Sequence, residues 1–233
     1  MRHESAAQRN THHMPPPLPP TNLGFALNSP GAPVLIELYL DLICPFSMKV
    51  YCTTYDSDIF KAYDGKISFV LHNVPQPWHP QGVYVHEVAL AVKAKQPNNY
   101  AKCVRAIYKA FNGGVPPGKF TDADTWDKSR SQIYSDLLDV VAAEGADRAL
   151  IEECVKIRTL TTATGVSFNA TTPMTQDIKW AVKFQRKQGV HVTPTCFVNG
   201  LEADVISSGW AADQWKAFLD PLGADNFTGS KLA

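Results

Sequence analysis

Several things are missing from this 233-residue chain, and each absence removes a class of function. No apolar run is long enough to span a bilayer, which argues against a membrane protein. Lysine plus arginine balances aspartate plus glutamate, 22 against 22, so no net charge points to nucleic acid. No glycine-rich phosphate loop is present, and no cysteine or histidine spacing suits a metal. The five cysteines fall at irregular intervals, with no C-x-x-C pair. They make no disulfide framework, and a reducing compartment is expected. Met1 to Pro20 lacks the apolar core of a secretory signal, so a cytoplasmic location is the expectation. In that setting the sequons at Asn169 and Asn226 carry little weight. Ser230-Lys231-Leu232 is followed by Ala233 and is not the terminal tripeptide that a peroxisomal address requires. No internal repeat is visible.

What remains is an ordinary globular composition, 45% hydrophobic and 19% charged, able to bury a core. Residues 1–30 read as a proline-rich tail, because the Pro15 to Pro20 tract favours polyproline II. His12 and His13 beside it are too few to hold a metal. From Pro33 the pattern turns regular. Val34 to Leu40 is a strand; Met48, Tyr51, Cys52, Tyr55 and Ile59 then mark one apolar helix face. Lys66 to Val74 is a second strand, and the prolines of 75–80 end it. Residues 81–188 are helical in period, broken by a loop over Asn112 to Gly118 and by a cap-rich boundary at Thr121 to Asp127. Thr195 to Asn199 and Leu201 to Ser207 form a hairpin about Asn199-Gly200, followed by a short helix over Asp213 to Leu219. The fold class is therefore α/β, with β-α-β (33–80) and β-β-α (189–222) segments flanking a helical insert (81–188) and a tail over 223–233.

Cys44-Pro45-Phe46-Ser47 lies where the first strand gives way to the first helix. A cysteine there sits at the positive end of the helix dipole beside unpaired backbone N–H groups, and both favour a thiolate. Pro45 suits the first helical position, which needs no backbone donor. Ser47, three residues on, is placed to bring its hydroxyl near the Cys44 sulfur. The second informative stretch runs from Gly189 to Gly200 and contains Thr193-Pro194-Thr195. Proline entering a strand removes a ladder donor, and a cis bond there would present free backbone groups to a ligand.

Together these two stretches resemble the thioredoxin superfamily, and within it the DsbA-like branch. The residues that carry the resemblance are Asp41, Cys44, Pro45, Phe46 and Ser47, then Gly189, Val190, Thr193, Pro194, Thr195 and Phe197 to Gly200. The resemblance covers Pro33 to Leu222, and the helical insert lies where that branch carries one. It implies a thioredoxin-like sheet with an inserted helical domain, Cys44 as the nucleophile, and Pro194 as the cis-proline facing it. The Thr193 backbone, with Pro45, Phe46 and His79 nearby, would receive a disulfide-bearing protein or glutathione. Ser47 stands where redox members usually carry the resolving cysteine. The implied chemistry is that of a monothiol thiol-disulfide oxidoreductase, with no resident cofactor and glutathione as co-substrate.

Two other functions fit the same residues: a glutathione transferase or isomerase resembling the kappa class, whose serine-bearing motif Ser47 matches, and a non-catalytic thioredoxin-like binding domain. Cys52 lies about 12 Å along the helix from Cys44, too far to pair with it. Cys196, two residues after Pro194, is the only plausible second redox thiol, against the favoured reading of a buried strand cysteine; Cys103 and Cys154, in the insert, read as core or surface thiols. His72, His86 and His191 join His79 as histidines able to reach a groove, and Trp78 either lines that groove or caps the core. Oligomeric state is left open by the sequence.

Overall fold

A computed structural model of the chain describes residues 18–111, 118–158 and 171–224. His12 and His13, Pro15 to Pro17, the loop at 112–117, the sequons at Asn169 and Asn226 and the Ser230 to Leu232 tripeptide lie outside the described residues. Among the described residues, five strands form one sheet: β1 (Phe25–Ala26), β2 (Val34–Leu40), β3 (Ile67–Asn73), β4 (Thr195–Val198) and β5 (Leu201–Glu202). Their order across the sheet is β1-β3-β2-β4-β5. β2 and β3 run parallel, Val34 opposite Ile67 and Leu40 opposite Asn73, and β4 lies antiparallel on the other side of β2. The parallel pair is joined through α1 (Pro45–Asp56) and the short α2 (Ile59–Ala62), the crossover that parallel strands require.

β2 is buried on both faces, which explains its nearly continuous apolar run. Ile36, Leu38 and Leu40 face the main core with Cys196, Trp215 and Leu219, the last two from α9 (Ala212–Leu222). Tyr39 and Phe197 face the opposite side with Val74, Val190 and, from α8 (Thr175–Lys187), Phe184. Ser68 and His72, polar positions of β3, are buried as well. His72 stacks on Tyr39 at 4.5 Å and bonds Glu37 at 2.8 Å.

The insert comprises α3 (Gly82–Lys95), α4 (Pro97–Phe111), the one-turn α5 (Asp122–Thr125), α6 (Arg130–Ala143), α7 (Arg148–Val155) and α8. Thr121 caps α5, and Ser129 with Gln132 forms a capping box on α6. Buried Glu87 of α3 draws the insert together, accepting from Tyr134 and Arg130 of α6 and from the Thr172 hydroxyl at 2.7 Å.

The expected tail is shorter than residues 1–30. Phe25 and Ala26 pair with Leu71 and Val70, so ordered structure begins before Pro33. Asn28 anchors this edge: its side chain donates to the Phe60 and Ile67 carbonyls and accepts from the Phe69 amide. A two-residue strand carries no periodicity, which hides it in the sequence. The second hairpin strand also ends at Glu202 rather than Ser207.

Candidate active site

Cys44 is the N-cap of α1, extended in backbone (φ −86°, ψ 124°), with Pro45 in the first turn. Its sulfur therefore lies at the end of the helix where backbone N–H groups are free. Only 5% of Cys44 is exposed, and its thiol donates to the Thr193 carbonyl at 3.4 Å. The Thr193–Pro194 peptide bond is cis. The two motifs of the sequence, 149 residues apart, thus meet at one sulfur. Pro45 and Phe46 are exposed beside it, and Thr193 and Pro194 are half-buried.

Ser47 does not do what its spacing suggests. It is fully buried, and its hydroxyl has no hydrogen-bond partner, the Cys44 sulfur included. On the first turn of α1 its side chain lies on the inward side of the helix, with Val50, Tyr51 and Thr54 among the buried residues.

The residue that organises the site is Asp41, to which the sequence motif alone assigns no role. It is fully buried at the end of β2. Its backbone carbonyl accepts from the Cys44 amide at 3.1 Å and from the Tyr108 hydroxyl, also at 3.1 Å. Oδ1 accepts from the Ile43 amide at 3.3 Å and meets His86 Nε2 at 3.1 Å. Oδ2 accepts from the Gln76 amide at 3.3 Å and meets His79 Nδ1 at 2.7 Å. Tyr100 donates to Asn73 Oδ1 at 2.7 Å, and the Asn73 amide nitrogen lies 3.0 Å from His86 Nδ1. His86 Nε2, besides facing Asp41, meets the Leu42 amide at 3.3 Å.

Burial alone would push the Asp41 carboxyl up, but the hydrogen bonds from His79 and then His86 outweigh it and hold it at about 2. His79 moves the other way: its bond to Asp41 raises it above the ordinary imidazole value. Gln76 completes the frame, its side chain donating to the His191 carbonyl at 3.4 Å on the Pro194 loop. Of the four histidines, His79 and His86 converge on Asp41. His72 lies on the far sheet face, and His191 contributes its carbonyl while its side chain is exposed.

All five cysteines are free. Cys196 pairs in register with Leu38 inside the core, and burial pushes its thiol up to about 12. Burial likewise raises Cys103 to about 11 and raises Cys52. Cys196 and Cys103 are core thiols and Cys52 packs half-buried against the core, whereas Cys44 meets the Thr193 carbonyl.

Four large apolar side chains close to the site in sequence are exposed. Phe46, Trp78, Val83 and Val192 are 52%, 56%, 38% and 59% exposed. Each adjoins the site in sequence: Phe46 follows Pro45, Trp78 precedes His79, Val83 follows Gly82, and Val192 precedes Thr193. Gly82 itself lies against His79, Ile43 and Asp41.

Comparison with known proteins agrees with this geometry. Residues 24–220 match a family model described as thioredoxin. No curated protein matches the chain. Among solved structures, a candidate protein-disulfide isomerase from Pseudomonas syringae superposes with TM-score 0.59 at 20% identity, covering 84% of this chain and 97% of that one. MdbA, a thiol-disulfide oxidoreductase from Actinomyces oris, gives TM-score 0.59 at 12% identity, covering 85% of each chain. Reduced DsbA from Mycobacterium tuberculosis gives 0.56 at 14%, covering 88% of this chain and 94% of that one. At these identities the likeness is one of fold: the sheet with its helical insert is that of DsbA-like proteins.

Proposed function

The chain belongs to the thioredoxin family that its residues 24–220 match, and from that premise we propose that it is a monothiol thiol-disulfide oxidoreductase working through Cys44. The observation that carries this reading is the Cys44 thiol held 3.4 Å from the Thr193 carbonyl at the N-terminus of α1. The Cys44 thiolate attacks one sulfur of a substrate disulfide. A Cys44–S bond forms, the substrate S–S bond breaks, and the second sulfur leaves as a thiolate that takes a proton from solvent. Ser47 cannot resolve the product, and Cys196 is sealed in the core. Release therefore falls to an external thiol such as glutathione: its thiolate attacks the substrate-side sulfur of the mixed disulfide, a glutathione–substrate disulfide forms, the Cys44–S bond breaks, and Cys44 returns as thiolate. A reducing compartment, as the sequence leads one to expect, supplies that thiol.

The exposed apolar side chains of Phe46, Trp78, Val83 and Val192, next to the site in sequence, favour an extended protein segment as the substrate that brings the disulfide. A transferase resembling the kappa class would need a serine hydroxyl turned toward a glutathione thiolate, and the buried Ser47 hydroxyl offers no support for it. The test is turnover of a peptide–glutathione mixed disulfide with reduced glutathione. Wild type is expected to reduce it, and Cys44→Ser to lose all protein-dependent rate. Equal rates for the two proteins would reject the assignment.

A further inference from the structure

Asp41 places a negative charge three residues before the proposed nucleophile, within a fully buried site. Such a charge opposes a thiolate. The two adjoin: the Cys44 amide donates to the Asp41 carbonyl at 3.1 Å, and the amide of Ile43, next to Cys44, donates to Asp41 Oδ1 at 3.3 Å. Yet the carboxylate is tied to the Cys44 turn, to α3 through His86 and, through Gln76, to the Pro194 loop. Removing it would loosen the frame, and leaving it bare would work against the reaction.

We infer that Asp41 and His79 form a charge-compensating positioning pair, in which a proton on half-exposed His79 masks the buried carboxylate that holds the Cys44 turn. This inference rests on the reading of Cys44 as nucleophile. The division of labour between the two histidines supports it. His86 is sealed at 0% side-chain exposure, and its ring nitrogens are taken up by Asn73, Asp41 and the Leu42 amide, a fixed strut. His79 is 20% exposed, so it can exchange its proton with solvent while its Nδ1 stays 2.7 Å from Asp41. The charged and titratable groups that face the pair are His86 from α3, Tyr108 from α4, Asp122 from α5 and Cys44 on the adjoining turn. Asp122 acts in the same direction as Asp41, favouring the proton on His79.

The sign of the pH effect follows. Below the raised value of His79 the pair is neutral overall, and the N-terminus of α1 acts on the Cys44 sulfur unopposed. As pH rises through that value His79 loses its proton, the Asp41 charge is bared, and the sulfur becomes less able to carry a charge of its own. Cys44 reactivity should bend downward there, while an ordinary thiol keeps gaining.

The experiment measures the rate at which the full chain reacts with 2,2′-dithiodipyridine across pH. The Cys44→Ser rate is subtracted, because Cys52 is half-exposed. His79→Gln should slow Cys44 by about tenfold at neutral pH, the effect of one uncompensated charge at close range. Adding Asp41→Asn to His79→Gln should restore the rate to within about twofold, since Asn keeps the shape and removes the charge. A structural role alone predicts the opposite, a double variant at least as slow as either single one. Should the double variant fail to fold, the wild-type profile decides, with the His79 titration followed by NMR. A bend at the His79 midpoint supports the pair, and a profile without one overturns it. A fast wild-type Cys44 that His79→Gln leaves unchanged overturns this inference alone. A wild-type Cys44 no faster than a free thiol overturns the proposed function with it.

Discussion

Cys44 and Ser47 occupy one helical turn, and the difference between them sets the chemistry. Residues three apart on a helix bring their Cβ atoms to about 5–6 Å, close enough for small backbone adjustments to close a disulfide. Ser47→Cys should therefore create the missing partner. Under mild oxidation the variant is expected to lose both the Cys44 thiol and the introduced thiol to a bond between them, counted by alkylation and mass spectrometry. It should also stop accumulating mixed disulfides. Persistence of both thiols would show that the buried setting of Ser47 keeps a side chain there from the sulfur. Cys44 and Pro194 were both legible in the sequence, because their local signals are strong: a cysteine before proline at a strand end, and a proline entering a strand. The grip on Asp41 was not. His79 and His86 lie 38 and 45 residues from it, and no local spacing reveals that two histidines share one carboxylate.

Among the elements, β1 is the clearest addition to what the sequence offers. Phe25–Ala26 is too short for alternation to register, and the prolines before it read as a tail. Besides its pairing with β3, one side chain ties it down: Asn28, with three hydrogen bonds to the α2 and β3 backbone. Asn28→Ala should strand those partners and cost about 2 kcal/mol in chemical denaturation, with the loss of hydrogen-exchange protection centred on Leu27 and Phe69. A change within about 0.5 kcal/mol would mean that the edge is held by packing instead. The helical insert was legible as a block from its period, and Val104, Ile107 and Tyr108 with Ile133, Leu137 and Val141 lie in the core. Its internal clasp was not, because Glu87 reads as a surface residue until Tyr134, Arg130 and Thr172 are seen to close on it.

The molecule as a whole carries an acid-sensitive joint at the same site. The Asp41 carboxyl is held at about 2, below its ordinary value of 3.8. A depressed carboxylate stabilises the fold at pH above the unfolded value, and that stability is lost as pH falls through the folded one. The expected contribution is about 2 kcal/mol at neutral pH, lost between about pH 4 and pH 2. His79 expresses the same contact from the basic side: its raised value makes the stabilisation complete in mild acid and erodes it as pH climbs past that value. Asp41→Asn should flatten both slopes in urea denaturation, and unchanged slopes would place the acid sensitivity elsewhere, for instance at Glu37, whose bond to His72 also lowers it.

At the centre of the proposed chemistry is one thiol that forms a bond it cannot break unaided. Mass spectrometry of the protein exposed to oxidised glutathione, then to reduced glutathione, tests this directly. The expected result is a single glutathione adduct mapped to Cys44, stable by itself and removed by the added thiol. No adduct at Cys44, or an internal bond between Cys44 and Cys196, would contradict it.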